Sequence, residues 1–184
     1  MSDQELRIIQ ATRRRLVKRI ILIGVFLVVA GGLIVWLAVY LRNRGTNLPG
    51  AFLPDAGRRH ITVGTEGVGY NSNPPTSGDH YPHTSEWGAY DKEIADGILI
   101  HNLEHGGIWI SYKPDIAEEI KQQLENFYKK WGRKIIVTPR SANDTDIALA
   151  AWQRLDKFNV SEYSDERIER FIRAYRNKGP EFVP

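Results

Sequence analysis

The sequence predicts an α+β (or small α/β) fold: one compact domain, with helices packed on one β-sheet, behind a single N-terminal transmembrane helix. Three observations carry that expectation. One uninterrupted apolar run lies near the N-terminus, short β-branched runs recur between residues 98 and 152, and amphipathic segments of helical period alternate with them. A chain of 184 residues suits one anchored domain with one hydrophobic core.

Charge is distributed unevenly. Residues 1–44 hold eight Lys or Arg against two acidic residues, so the overall charge of +3 belongs to the N-terminal flank and the remainder is mildly acidic. A nucleic-acid-binding face is therefore not expected. Cysteine is absent, which excludes disulfides, thiolate metal sites and a cysteine nucleophile.

Residues 1–19 read as a basic cytoplasmic tail, with Arg7, Arg13, Arg14, Arg15, Lys18 and Arg19. Ile20 to Leu41 is an uncharged stretch of 22 residues, enough for a helix to cross roughly 30 Å of hydrocarbon. Trp36 and Tyr40 suit an interfacial belt, and the excess of basic residues before the span places the N-terminus in the cytoplasm and the rest outside. The run is longer than the roughly 7–15 residues of a secretory signal core and no small-residue cleavage site follows it, so the expectation is an uncleaved anchor in the cell membrane. Residues 42–57, rich in Gly, Asn and Pro, read as a linker, and residues 58–184 as the extracytoplasmic domain.

Arg58 to Val63 is expected to open the domain as a short strand, followed by a long Gly/Pro-rich loop to Tyr90 whose aromatic residues favour order. Ile98-Leu99-Ile100 and Ile108 to Tyr112 read as two strands joined by a turn at His101–Gly107, a hairpin closed by Gly106-Gly107. Asp115 and Glu118 suggest a capping box before a helix with the stripe Ile116, Ile120, Leu124, Phe127 and Trp131, ended by Gly132. Ile135-Ile136-Val137 reads as a strand stopped by Pro139. Ile147 to Phe158 fits either a helical stripe or a buried strand. A last helix is expected after Ser164, with Ile168, Phe171, Ile172 and Tyr175 facing inward, stopped by Gly179-Pro180. Trp109, Trp131, Trp152 and Tyr175 read as core.

Four of the five histidines lie in two short pieces, Pro74–His83 and His101–Gly107, with His60 upstream. His80 and His83 are spaced i, i+3, and His101 and His105 i, i+4, both of which let imidazoles point one way. The candidate metal ligands are His80, His83, His101, Glu104 and His105, with His60 and Asp79 in reserve, and nitrogen and oxygen donors favour zinc or copper(II). The alternative is structural: the rings bond loop carbonyls and stack on tyrosines. His101-x-x-Glu104-His105 also matches an inverted zinc-protease pattern, but that pattern needs a helix and the flanking residues look strand-like. Ser77 is a candidate nucleophile with Asp79 as orienter, yet no Gly-x-Ser-x-Gly elbow surrounds it.

The strings Pro74-Pro75-Thr76-Ser77-Gly78-Asp79-His80-Tyr81 and His101-Asn102-Leu103-Glu104-His105-Gly106-Gly107, behind one membrane helix, resemble the DUF3105 family from about His60 to the C-terminus. The resemblance implies a bacterial membrane-anchored extracytoplasmic domain and supplies no reaction. It also marks His60, Pro74 to Gly78, His80, His101, Leu103 to Gly106 as characteristic, and implies a strand at Ala151-Trp152. Three functions follow as expectations: a metal-binding module, a scaffold presenting the loop to a cell-envelope partner, or an envelope hydrolase using Ser77 or Glu104.

Overall fold

A computed structural model describes residues 3–46, 48–181 and 183, the side chains of 3–12, 15 and 42–46 excepted. It divides into two units, Met1–Leu48 and Pro49–Pro184. The first is a single helix, α1 (Asp3–Thr46). Within it Leu16–Leu41, with no buried share, is long and apolar enough to cross a membrane. Helix therefore continues on both sides of the apolar run, through the expected tail and into the expected linker.

The second unit is built on a six-stranded sheet among the described residues. In chain order its elements are β1 (Ala51–Phe52), β2 (Gly88–Ala89), α2 (Asp96–Glu104), β3 (Ile108–Tyr112), α3 (Glu118–Trp131), β4 (Ile135–Pro139), β5 (Ile147–Ala151), β6 (Arg154–Phe158) and α4 (Asp165–Tyr175), with a 3₁₀ turn at Val160–Glu162. The strand order is β1-β6-β5-β3-β4-β2. β3 pairs parallel with β4 (Trp109 opposite Ile136) and antiparallel with β5 (Trp109 opposite Ala150). The parallel pair needs a crossover, which α3 supplies. The fold is α+β, with helices on one mixed sheet.

Strand alternation sends β3 to two cores. Ile108, Ile110 and Tyr112 pack with Leu124 and Phe127 of α3 and Ile168, Phe171 and Ile172 of α4. Trp109, on the opposite face, packs with Leu99, Ile100 and Leu103 of α2, Ile136 of β4 and Trp152. Both faces are covered, so β3 to β5 read as continuous apolar runs rather than as alternating ones.

Several elements differ from the sequence expectation. Ile98-Leu99-Ile100 is not a strand and His101–Gly107 is not a hairpin turn: both belong to α2 and its C-terminus. Seven of its nine residues are buried, from Gly97 to Glu104, so no polar face marks a helical period and a short apolar run is left that mimics a strand. Ile147 to Phe158 is a β5–β6 hairpin, turning through Gln153 at φ +58. Arg58 to Val63 is no strand but an extended segment with one bridge, His60 beside His80. The expected linker is partly domain, since Ala51 and Phe52 pair with Leu155 and Arg154 at the sheet edge. α3 begins at Glu118 with Ala117 at its cap, leaving Asp115 outside, and the acidic Glu118 and Glu119 favour its positive end. α4 stops at Tyr175, before Gly179-Pro180, because Asn177 turns the chain at φ +63.

Candidate metal centre

The site lies where the Pro74–Tyr81 loop meets the C-terminal turn of α2. Thr76, Ser77, Asp79 and His80 are all buried. Backbone and side-chain bonds tie the loop down: Ala56 N donates to Ser77 Oγ (2.9 Å), Gly78 N to Gly57 O (2.8 Å) and Gln153 N to Thr76 O (3.2 Å). Gly78 sits at φ +119, and a Cβ there would lie 3.0 Å from the Tyr70 ring. Ser77 is thus 1 % exposed and engaged in holding residue 56, a placement that suits a brace rather than a nucleophile.

Two histidines have their tautomer fixed by this frame. His80 Nδ1 donates to Gly78 O at 2.8 Å and His101 Nδ1 to Tyr81 O at 2.7 Å, because a carbonyl can only accept. Each neutral ring therefore carries its lone pair on Nε2. His80 Nε2 lies 2.9 Å from Glu104 Oε2 and makes no hydrogen bond, in a side chain with no exposure. A buried lone pair facing a carboxylate oxygen calls for a proton or a cation between them.

The ring arrangement is regular. Centroids of His60, His80 and His101 form a triangle with sides of 4.9, 5.0 and 5.1 Å. Imidazoles bound to zinc at about 2.0–2.1 Å place their centroids about 3.2 Å from the ion, hence about 5.2 Å from one another at a tetrahedral angle. One donor atom each from His60, His80, His101 and Glu104 lies within 4.8 Å of the others. The Nδ1-to-carbonyl bonds have the form of the outer partners that orient metal-bound histidines. Arg58 Nε, 3.9 Å from Glu104 Oε1, adds positive charge on the outer side of the carboxylate.

His105, the C-cap of α2, extends the cluster outward. Its Nε2 lies 3.1 Å from His101 Nε2 and 3.2 Å from Glu181 Oε2. Glu181 is brought there by the C-terminal segment: Asn177 N donates to Gly106 O (2.8 Å), Glu181 N to Glu104 O (3.1 Å), and Lys134 Nζ to both His105 O (2.6 Å) and Val183 O (2.8 Å). These bonds satisfy carbonyls that the end of α2 leaves free. Gly179 is required in this crossing, because a Cβ would stand 2.1 Å from Glu104 O.

The other expected ligands stand apart. His83 is exposed and stacks on Tyr81, with centroids 6.0 Å apart, and belongs to neither group. Asp79 is paired with Arg59 (Nε–Oδ1 3.0 Å, Nη2–Oδ2 2.5 Å), whose bond holds the carboxyl below its ordinary range. His60, a reserve candidate by sequence, is a corner of the triangle. Glu181 and Arg58 escape sequence reasoning; Glu181 sits among residues that read as a helix stop, and no spacing links it to His105. His101-x-x-Glu104-His105 does lie on a helix turn, the last of α2, where Glu104 is buried with Oε2 2.9 Å from His80 Nε2.

Burial, with smaller contributions from His105, His80 and His60, pushes the His101 pKa below the ordinary imidazole value, although its bond to Tyr81 O works the other way. The unfolded chain thus takes up this proton first as pH falls. The corresponding stability is present above the unfolded value of about 6.5 and is lost as pH drops below it. In chelator-treated protein the melting temperature should fall as the pH drops below about 6.5, and less steeply in His101→Asn; equal slopes would contradict this assignment.

Residues 60–183 match the family described as "Protein of unknown function (DUF3105)". No curated protein and no solved structure matches the chain.

Proposed function

The chain belongs to the DUF3105 family of proteins of unknown function, and on that premise we propose that its domain holds one transition-metal ion through His60, His80, His101 and Glu104. The observation that carries this reading is the buried Nε2 of His80, 2.9 Å from Glu104 Oε2 without a hydrogen bond, inside a triangle of imidazoles spaced like metal ligands. Three neutral nitrogens and one carboxylate suit zinc or copper(II), and the near-equal ring spacings favour the tetrahedral preference of zinc. The ion would join the loop at His80, the segment at His60 and helix α2, and so bind the two histidine pieces into one unit. Atomic-emission metal analysis of the full-length protein in detergent, after zinc or copper incubation and desalting, should give one ion per chain, and less than one in His80→Ala, whose weaker hold releases the ion on desalting. The absence of stoichiometric metal in the wild type would overturn the proposal.

The same reading places the module on the outer side of a cell membrane. Leu16–Leu41 is long and apolar enough to span, and Arg7, Arg13, Arg14, Arg15, Lys18 and Arg19 precede its uncharged stretch from Ile20, against Arg42 and Arg44 after it. Because the chain has no cysteine, the orientation is testable directly. A cysteine in place of Lys178 should react with a membrane-impermeant maleimide on intact cells, and one in place of Ser2 should not; the reverse pattern would invert the topology.

A further inference from the structure

Resting on that reading, we propose a second, overlapping metal position formed by His101, His105 and Glu181, so that the chain carries one ion that occupies either a buried or an outer place. The argument turns on His101. Its Nδ1 is committed to Tyr81 O at 2.7 Å, which leaves one lone pair, on Nε2. That nitrogen is the donor available to the inner group with His60, His80 and Glu104, and it accepts a hydrogen bond from His105 Nε2 at 3.1 Å, which an ion at either position would displace. His105 Nε2 is in turn 3.2 Å from Glu181 Oε2, and the three outer donor atoms lie within 4.8 Å of one another. An imidazole lone pair binds one ion at a time, so the two positions exclude each other.

Their surroundings differ in a way that gives each a distinct role. In the inner group the side chains of His80 and Glu104 are 0 % and 7 % exposed, and His60 alone of the four is exposed. In the outer group His105 and Glu181 are 16 % and 54 % exposed, and His105 borders an open cavity of about 570 Å³ lined in part by Ser85, Trp87 and Lys134. Two imidazoles and one carboxylate with room for water describe a position that exchanges ligands. The C-terminal segment holds Glu181 there through Glu181 N to Glu104 O, the carbonyl of an inner ligand residue. An ion moving between the positions keeps its bond to His101 and exchanges His60, His80 and Glu104 for His105 and Glu181.

Zinc titration of the full-length protein in detergent, against a chromophoric chelator, tests this. The wild type should bind one zinc. His105→Ala and Glu181→Gln, changed singly, should alter its affinity less than about threefold. His80→Ala should retain one zinc with affinity weaker by about 100-fold or more, beyond the roughly 10–100-fold that the outer partners of a metal ligand contribute. Adding Glu181→Gln or His105→Ala to His80→Ala should then weaken or remove the residual site. Should His80→Ala fail to fold, His60→Ala gives the same comparison at an exposed ring. Two zinc ions bound together by the wild type, or no effect of the outer changes in either background, would overturn the overlapping position and leave the inner site standing. A wild type that binds no zinc would overturn both.

Discussion

Replacing His101 with alanine is expected to lower the zinc affinity of the full-length chain at least about 1000-fold, or about 4 kcal/mol. The effect should exceed that of any other single ligand change. His101 is the residue common to both donor groups, so its loss cuts the inner group to His60, His80 and Glu104 and the outer one to His105 and Glu181. It is also the one inner imidazole that a helix fixes: α2 sets its backbone, Leu99, Ile100 and Leu103 lock that helix to the sheet, and Tyr81 O sets its tautomer. Removing the ring additionally leaves Tyr81 O without that donor, so the variant's fold should be checked by circular dichroism alongside the titration. A well-folded His101→Ala protein that loses less than tenfold in affinity would show that the ring is not a ligand.

Trp109→Ala should cost about 3–5 kcal/mol of stability, a large share of the roughly 5–15 kcal/mol that holds a domain of this size. Trp109 is 1 % exposed in the central strand, paired with β4 on one side and β5 on the other. Its ring fills the layer between the sheet and α2, and its Nε1 donates to Thr138 Oγ1 at 2.8 Å. Truncation opens a cavity beneath the helix that carries His101 and Glu104 and removes the donor to a buried hydroxyl. Trp109→Phe, which refills most of the volume and leaves Thr138 without this donor, should cost less, about 1–3 kcal/mol. Urea unfolding of the two variants checks the order; equal losses would mean that the hydrogen bond, not the packing, carries the effect.

Much of this was legible in the residues, and the failures have identifiable causes. The stripes of α3 and α4 are periodic because each helix has one buried face, and β3 and β4 stand out as short β-branched apolar runs because both faces of the sheet are covered. α2 has none, since seven of its residues are buried, and its Ile98-Leu99-Ile100 run looks the same as a strand. That misreading turned the i, i+4 pair His101 and His105 into a hairpin turn, although the spacing itself pointed to one helical face. His80 and His83 carry a spacing of equal appeal, but Tyr81 and Pro82 lie in a loop where i, i+3 fixes no direction, and His83 faces solvent on Tyr81. His60 and His80 are twenty residues apart and meet through one parallel bridge, a tertiary fact with no local signature. Glu181 reaches His105 because Gly179 lets the C-terminal segment cross the end of α2. Nothing within a few residues of it announces that crossing.

The most direct test of the metal centre is X-ray absorption at the zinc edge of the zinc-loaded full-length protein. The account predicts nitrogen and oxygen scatterers at about 2.0–2.1 Å, with outer-shell scattering from at least two imidazoles that weakens in His80→Ala. A spectrum of zinc surrounded by water and carboxylate oxygens, without imidazole scattering, would contradict it.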